Sequence, residues 1–219
     1  FSQRHSVLRD QKNNNYYTYR FVFIPETIGA VVYICNNYDE LKKNVIGGYV
    51  ITHIGDKGEF TYLKTRNENT ITDKVSFFVL DEMKKKYKVR DFLTCGSDER
   101  QYNFPGVDLN IGSIMRSKYT EFPEYHTSGD NLNFVDTDSL KESFDIYKKC
   151  IFVLEHNKMY KMSVLCEPFL TKYNLISNIS GQSYKVKNIY GIIKKVIYYL
   201  DGKNDIIDIS KIINEEFMD

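Results

Sequence analysis

The chain has 219 residues, which is enough for one substantial domain or for one domain with a small appendage. Its 30 Lys and Arg residues are balanced by 29 Asp and Glu residues, so the net charge of +1 gives no general electrostatic reason to bind nucleic acid or an anionic membrane. The longest apolar stretches are broken well short of the roughly 20 residues that a membrane span needs.

The four cysteines show no C-x-x-C spacing, and no secretory signal precedes them. This pattern predicts buried, reduced thiols in a cytoplasmic protein without a membrane segment.

The first part of the chain alternates strand and helix patterns. "SVLRDQ" is typical of the end of a helix, and aromatic and β-branched residues then predict a strand over 17–24 that Pro25 ends. The apolar spacing of "TIGAVVYICNN" predicts a buried helix, so Glu26 lies at a strand-to-helix junction. A second apolar run, "NVIGGYVITHIG", predicts a central strand covered on both faces, and "EFTYLKT" predicts its hairpin or edge neighbour.

The middle of the chain continues this alternation. Apolar residues at helical spacing predict a helix between Thr72 and Tyr87. "VDLNIGSIMRS" predicts a strand between polar loops, where functional residues usually lie. Asp136 predicts the N-cap of a further helix, whose apolar stripe is Leu140, Phe144, Tyr147, Ile151 and Leu154. The order of elements predicts a three-layer α/β domain with a mixed sheet.

The character of the sequence changes after a linker-like stretch at 166–183. A stop at Gly202 and the segment "DIIDISKIINEEF", a short strand followed by a helix, predict a small helical unit. Its acidic residues offset its lysines, which argues against DNA binding and favours packing or a protein contact. The first helix of this unit presents one apolar face, formed by Ile189, Ile193, Val196, Ile197 and Leu200.

Three separated motifs occur in order: "PETIG" at 25–29, "GSDERQYNFPGVDL" at 96–109 and "HTSGDNLNFVDTDSL" at 126–140. This order resembles the M28-type zinc aminopeptidases, which carry Glu-Glu-x-Gly, then Ser-Asp-His-x-x-Phe, then His-Thr-x-x-Asp before a helix. Four sequence segments more closely resemble a bacterial aminopeptidase-like branch, the DUF4910 family: "RFVFIPETIG", "SDERQY", "MRSKY" and "PEYHTS". The resemblance implies an aminopeptidase-like α/β domain over 1–165, a linker over 166–183 and a partial winged-helix-like segment over 184–219.

The resemblance implies zinc-dependent hydrolysis of a peptide or amide bond. A zinc hydrolase needs His or carboxylate ligands, an open position for water and a carboxylate that takes the proton of the water. His126 matches the metal-binding His of the family, and Glu26 matches its general base. By itself, His126 is more typical of a loop residue without a special role, and the motif context favours the ligand interpretation. A carboxylate such as Glu26 is also favoured at a helix N-terminus by the macrodipole.

Four further residues are predicted to support this site. Asp98 is expected to orient groups near the metal, and a turn-forming Asp is the alternative. Arg100, Arg116 and Tyr125 are candidates for binding a substrate carboxylate or stabilising an oxyanion. For the arginines, the alternative is ion pairing with Glu99, Glu121 or Glu124.

The chain also departs from the family pattern. Thr27 and Thr52 stand where the larger family has a metal-binding Glu and Asp, and the upstream "His-Pro-Ser…Asn-Asp" segment of the similar branch is absent. The other histidines, His5, His53 and His156, match none of the missing ligands, and His53 is predicted to be a core or strand-end residue.

We therefore expect one zinc ion, which needs ligands that are not present in this chain. We also expect that the chain is truncated at both ends. The predicted partner is a peptide or an amino-acyl small molecule, and a homo-oligomer is left open. The rival hypothesis is a non-catalytic aminopeptidase-like binding or regulatory protein.

Overall fold

The computed structural model describes residues 15–173 and 184–217. The predicted helix end at "SVLRDQ" and the linker residues 174–183 lie outside this part of the chain. The chain divides into two compact units, Phe1–Leu154 and Glu155–Asp219.

The first unit is built on a mixed sheet. Its strands are β1 (Gly48–Tyr49), β2 (Phe60–Leu63), β3 (Tyr87–Arg90) and β4 (Ile111–Met115), in the spatial order β1-β4-β2-β3. β4 pairs parallel with β1 and antiparallel with β2, and β2 pairs parallel with β3. Every residue of β2 and β4 is buried. The predicted α/β architecture with a mixed sheet is thus confirmed.

The helices of this unit are α1 (Ile28–Asn44), α2 (Ile71–Glu82) and the short α3 (Glu99–Tyr102), and α4 (Thr137–His156) begins in it. The helices predicted from periodicity are confirmed as α1, α2 and α4. The Thr70 hydroxyl accepts a hydrogen bond from the backbone N–H of Asp73, whose carboxylate accepts from the N–H of Thr70, so a capping box starts α2. Asp136 accepts from the N–H of Ser139 at 2.9 Å, as expected of the predicted N-cap of α4.

Helices cover both faces of the sheet. The side chain of Ile111 in β4 belongs to a core cluster with Tyr33 and Leu41 of α1. The next residue, Gly112, faces α2, because a Cβ atom placed on this glycine would lie 3.2 Å from the Thr72 side chain. Because successive residues of a strand face opposite sides of a sheet, α1 and α2 lie on opposite faces.

The strand predictions were wrong in three places. In the described part of the chain, no strand forms over 17–24, although Val22 and Ile24 pack against the α1 core. The run "NVIGGYVITHIG" supplies only the two-residue β1, at the edge of the four strands. β2, which was expected as the hairpin or edge neighbour of that strand, is central and pairs with β3 and β4 instead of β1. The apolar pattern reports burial: the segment over 17–24 partly buries side chains without strand pairing, and the run around β1 pairs over two residues only.

The buried face of α4 is rotated from the predicted stripe. Leu140 is 37% exposed and Phe144 is 64% exposed. Small serines lie on the buried face, where the Ser143 hydroxyl donates to the Ile54 carbonyl at 2.8 Å. The buried residues are Ser139, Ser143, Ile146, Tyr147, Cys150 and Val153.

The second unit contains β5 (Met159–Lys161), α5 (Tyr184–Tyr198), β6 (Asp201–Asp205) and α6 (Ile206–Ile213). β5 and β6 form an antiparallel pair. The segment "DIIDISKIINEEF", predicted as a short strand followed by a helix, begins at the last residue of β6 and continues as α6, so the strand lies earlier than expected. Asp205 and Asp208 form a capping box that starts α6. Ile189, predicted on the apolar face of α5, is 57% exposed. The winged-helix-like assignment of this segment stays a prediction.

All four cysteines are free, but only Cys150 is fully buried, and Cys35 and Cys166 are exposed. The prediction of buried thiols was therefore wrong for these two residues. Among the described residues, no helix combines the length and the apolar character that crossing a bilayer requires.

Candidate functional site

A cavity of about 210 Å³ in the first unit brings the three sequence motifs together. It contains Glu26 from the first motif, Ser97 from the second and His126 from the third. Of the six predicted site residues, Glu26, Tyr125 and His126 line it. The full lining is Glu26, Thr52, His53, Gly96, Ser97, Tyr119, Tyr125, His126 and Asp130.

The Glu26 carboxylate is held by a serine from the second motif. The Ser97 hydroxyl donates to Glu26 Oε1 at 2.6 Å, across 71 positions of sequence. Ser97 is itself only 7% exposed, so its rotamer is restricted by its surroundings. The hydrogen bond therefore fixes the orientation of one oxygen of Glu26.

Asp98 and Arg100 contact the residue that follows Glu26 and do not line the cavity. Asp98 Oδ1 accepts a 2.6 Å hydrogen bond from the backbone N–H of Thr27. Arg100 Nη2 donates to the Thr27 hydroxyl at 3.0 Å. Burial raises the pKa of Asp98, and the charges of Glu26 and Glu99 raise it further, against the lowering effect of the Thr27 N–H.

Arg116 lies in the interior, away from the cavity lining. Its guanidinium donates to the carbonyls of Gly58 at 3.0 Å and Ser139 at 3.3 Å, and it forms an ion pair with Glu142. Glu142 was not among the expected partners. The backbone N–H of Arg116 also donates to the carbonyl of His53 at 2.8 Å, which helps to fix a cavity residue.

Glu99 holds the loop that carries Ser97. Its Oε1 accepts from the N–H groups of Gly96 and Ser97, both at 3.0 Å, and from the Tyr119 hydroxyl at 2.6 Å. Sequence reasoning assigned no site role to Glu99, Ser97 or Tyr119. The only local signal was the three-residue spacing from Gly96 to Glu99, which lets a carboxylate accept from preceding backbone amides.

The two histidines of the cavity have different surroundings. The ring centroid of His53 lies 5.6 Å from those of Phe122 and Tyr125, and burial lowers its pKa despite the nearby Asp130 and Asp56 carboxylates. His126 is exposed and stacks on Tyr125, with 3.9 Å between the ring centroids and 17° between their planes. His53 thus has the surroundings of a packed, neutral imidazole.

The described residues do not fit a zinc site by themselves. The cavity offers Glu26, His53, His126 and Asp130 as donors. Ser97 already binds Glu26, and His53 is packed among aromatic rings. Nowhere in the described part of the chain do three His, Cys, Asp or Glu side chains form a group that could hold a metal ion. A tight zinc site needs three or four protein ligands.

Comparisons with known proteins support the motif resemblance. A Clostridium acetobutylicum protein, described as a candidate polysaccharide biosynthesis protein with an aminopeptidase-like domain, is 39% identical over 202 residues, covering 92% of this chain and 46% of the relative. The crystal structure of a candidate peptidase from Clostridium acetobutylicum has a TM-score of 0.80 at 37% identity, over 94% of this chain and 45% of that chain. A zinc aminopeptidase from Bacillus subtilis is more distant, with a TM-score of 0.48 and 14% identity over 58% of this chain and 32% of that chain.

The chain therefore spans about half the length of the curated relative that it matches. Residues 5–157 match the family model described as a domain of unknown function, DUF4910. Since this match covers more than half of the sequence, the chain belongs to the DUF4910 family.

Proposed function

We propose that this chain carries part of the site of an aminopeptidase-like hydrolase that cleaves a peptide or amide bond beside a free amino group. The observation that carries the proposal is the hydrogen bond from Ser97 to Glu26 in a cavity that gathers all three motifs. The aminopeptidase-like and peptidase descriptions of the relatives support the same class of reaction.

Glu26 is the proposed general base. It takes a proton from a water molecule in the cavity while the water oxygen adds to the carbonyl carbon of the substrate. The proton then passes to the leaving nitrogen as the carbon–nitrogen bond breaks. With one oxygen fixed by Ser97, the carboxylate is oriented before the substrate arrives, which lowers the entropic cost of the step.

Tyr125 is the proposed donor to the oxyanion. It lines the same cavity as Glu26, and its ring lies 5.6 Å from the ring of His53 and stacks on that of His126. A positioned hydroxyl stabilises the negative charge that develops on the carbonyl oxygen. Arg100 is exposed and bound to Thr27, so its proposed contribution is to support that residue.

The size and charge of the cavity favour a single N-terminal amino-acid residue as the occupant. Its volume of about 210 Å³ is below the roughly 300–1,000 Å³ of sites that enclose drug-sized ligands. Asp130 adds a carboxylate to the lining, and such a group attracts an α-ammonium. Because the pKa of His53 is lowered, this imidazole adds no opposing positive charge at neutral pH.

Zinc dependence is proposed only for a form of the protein in which other residues complete the ligand set. His126 is the proposed zinc ligand from this chain, because its exposed ring leaves it accessible. When bound, zinc would activate water and polarise the carbonyl.

A non-catalytic binding module is the second candidate function. It is favoured by the lack, within the described residues, of a three-ligand metal group. Such a module would bind an N-terminal residue in the cavity without turnover.

The test uses a longer form of the protein in which other residues complete the ligand set, and compares it with its Glu26→Gln variant on a panel of amino-acyl p-nitroanilides, with and without added zinc. Gln preserves an acceptor for Ser97, so folding should be unchanged, whereas loss of the base should reduce kcat by about 100-fold or more. Asp145→Asn, at an exposed position of α4, is the matched control. Equal turnover by Glu26→Gln refutes the base assignment. Binding of the substrates without turnover by any form supports the non-catalytic module.

A further inference from the structure

Thr27 has an unusual backbone conformation directly after the proposed general base. Its φ of 61° and ψ of −69° lie in a region that L residues rarely adopt, and Thr is β-branched. The N–H of Ile28 donates to the carbonyl of Glu26 at 2.7 Å. This hydrogen bond between residues two apart, together with the positive φ, defines a strained γ-turn centred on Thr27. Such strain persists only when the surrounding structure enforces it.

One short segment binds both sides of this turn. Ser97 donates to the Glu26 carboxylate at 2.6 Å, and Asp98 accepts from the Thr27 N–H at 2.6 Å. Arg100 donates to the Thr27 hydroxyl at 3.0 Å. Three side chains within four positions thus restrain two consecutive residues, which lie about 70 positions earlier in the sequence.

The Asp98 carboxylate is not used in the way its position suggests. Asp98 is the N-cap residue of α3, yet its side chain makes no capping hydrogen bond to that helix. An Asp at an N-cap ordinarily accepts from the second or third backbone amide of its own helix. Here the carboxylate accepts from Thr27.

This arrangement has an electrostatic cost. Burial and the neighbouring Glu26 and Glu99 carboxylates disfavour the ionised form of Asp98 and raise its pKa. The hydrogen bond from Thr27 offsets part of this cost, because a charged acceptor binds an N–H more strongly than a neutral acceptor does.

We infer that Asp98 is a positioning residue: by holding the strained turn at Thr27, it aims the Glu26 carboxylate into the cavity and within reach of Ser97. The inference rests on the proposed function for the role of Glu26. Its structural test requires no turnover.

The test measures amide hydrogen exchange at Thr27 and the nuclear Overhauser contact between the Glu26 and Ser97 side chains, by NMR on the full chain. Asp98→Ala removes the acceptor, so exchange at Thr27 should become about 10- to 100-fold faster and the Glu26–Ser97 contact should weaken. Asp98→Asn keeps an acceptor oxygen and should restore most of the protection. Asp145→Asn, remote in sequence and exposed, should change neither signal.

A second variant separates positioning from general loss of structure. Glycine adopts a positive φ without steric cost, so adding Thr27→Gly to Asp98→Ala should recover the Glu26–Ser97 contact. Unchanged Thr27 exchange in Asp98→Ala overturns the inference, as does faster exchange with an intact Glu26–Ser97 contact. If the wild-type chain turns over substrate, Asp98→Ala should lower kcat at least about tenfold with little change in KM, and Asp98→Asn should recover most of it. If the exchange results hold but a form with the completed ligand set shows no turnover, the positioning stands and the hydrolase proposal fails.

Discussion

The Tyr119 hydroxyl donates a 2.6 Å hydrogen bond to the Glu99 carboxylate, and the same carboxylate oxygen binds the backbone amides of Gly96 and Ser97. Tyr119 lines the cavity, whereas Glu99 is fully buried. A single buried carboxylate therefore joins the aromatic wall of the cavity to the loop that holds Glu26.

Removing this hydroxyl should weaken the loop as well as the wall. Tyr119→Phe leaves the Glu99 carboxylate without its side-chain donor, so we expect a loss of about 1–3 kcal/mol in the free energy of unfolding, measured by urea denaturation. Tyr160→Phe, at an exposed tyrosine, should cost less than about 0.5 kcal/mol. A similar cost for the two variants would show that the Tyr119–Glu99 hydrogen bond adds nothing to stability.

Arg116 should affect stability much more than a surface arginine does. Its side chain is 7% exposed, whereas its partner Glu142 is 36% exposed and also pairs with Lys85. Arg116→Ala should therefore cost about 1–3 kcal/mol, mainly because the Gly58 and Ser139 carbonyls lose their donors. Arg90 and Glu121 form a pair in which both side chains are 33% exposed, so Arg90→Ala should cost much less than Arg116→Ala. Urea denaturation of both variants measures the difference. Equal costs would contradict the interior role of Arg116.

The sequence predicted the features that depend on local patterns. Helical periodicity located α1, α2 and α4, and Asp136 marked the start of α4. The family resemblance predicted that Glu26, Tyr125 and His126 belong to one site, and all three line the same cavity. A family resemblance carries information about tertiary contacts that a single sequence lacks.

The remainder depended on contacts between distant residues. Ser97 meets Glu26 across 71 positions, and Tyr119 meets Glu99 across 20, without any local signal that marks either pair. Apolar patterns also misplaced strands, because Val22 and Ile24 partly bury their side chains without forming a strand. On α4, small buried serines carry no hydrophobic signal, so the predicted stripe missed the true buried face.

His53 should make stability sensitive to mild acid. Burial lowers its pKa below the ordinary value of 6.5, so the unfolded chain binds a proton more readily than the folded one. Its contribution is therefore complete above about pH 6.5 and is lost as the pH falls from there toward the lowered pKa of the folded state. His53 has a φ of 48°, which Asn tolerates, so His53→Asn tests this without new backbone strain. Thermal unfolding between pH 7.5 and 5 should show a shallower pH dependence for the variant; parallel curves would exclude His53 as the source.

Asp73 should contribute stability with the same sign of pH linkage as His53, but in a more acidic range. Burial alone would raise its pKa, but hydrogen bonds from Thr65, Thr70 and Tyr62 outweigh this effect and lower the pKa below the ordinary 3.8. The contribution is thus present above about pH 3.8 and is lost as the pH falls through the lowered value. Asp73→Asn should cost about 1.5–3 kcal/mol at pH 7, measured by urea denaturation, because three short hydroxyl donors then meet a neutral amide. Below pH 3.8 the stability gap between variant and wild type should narrow, whereas a gap independent of pH would show that the carboxylate charge has no role.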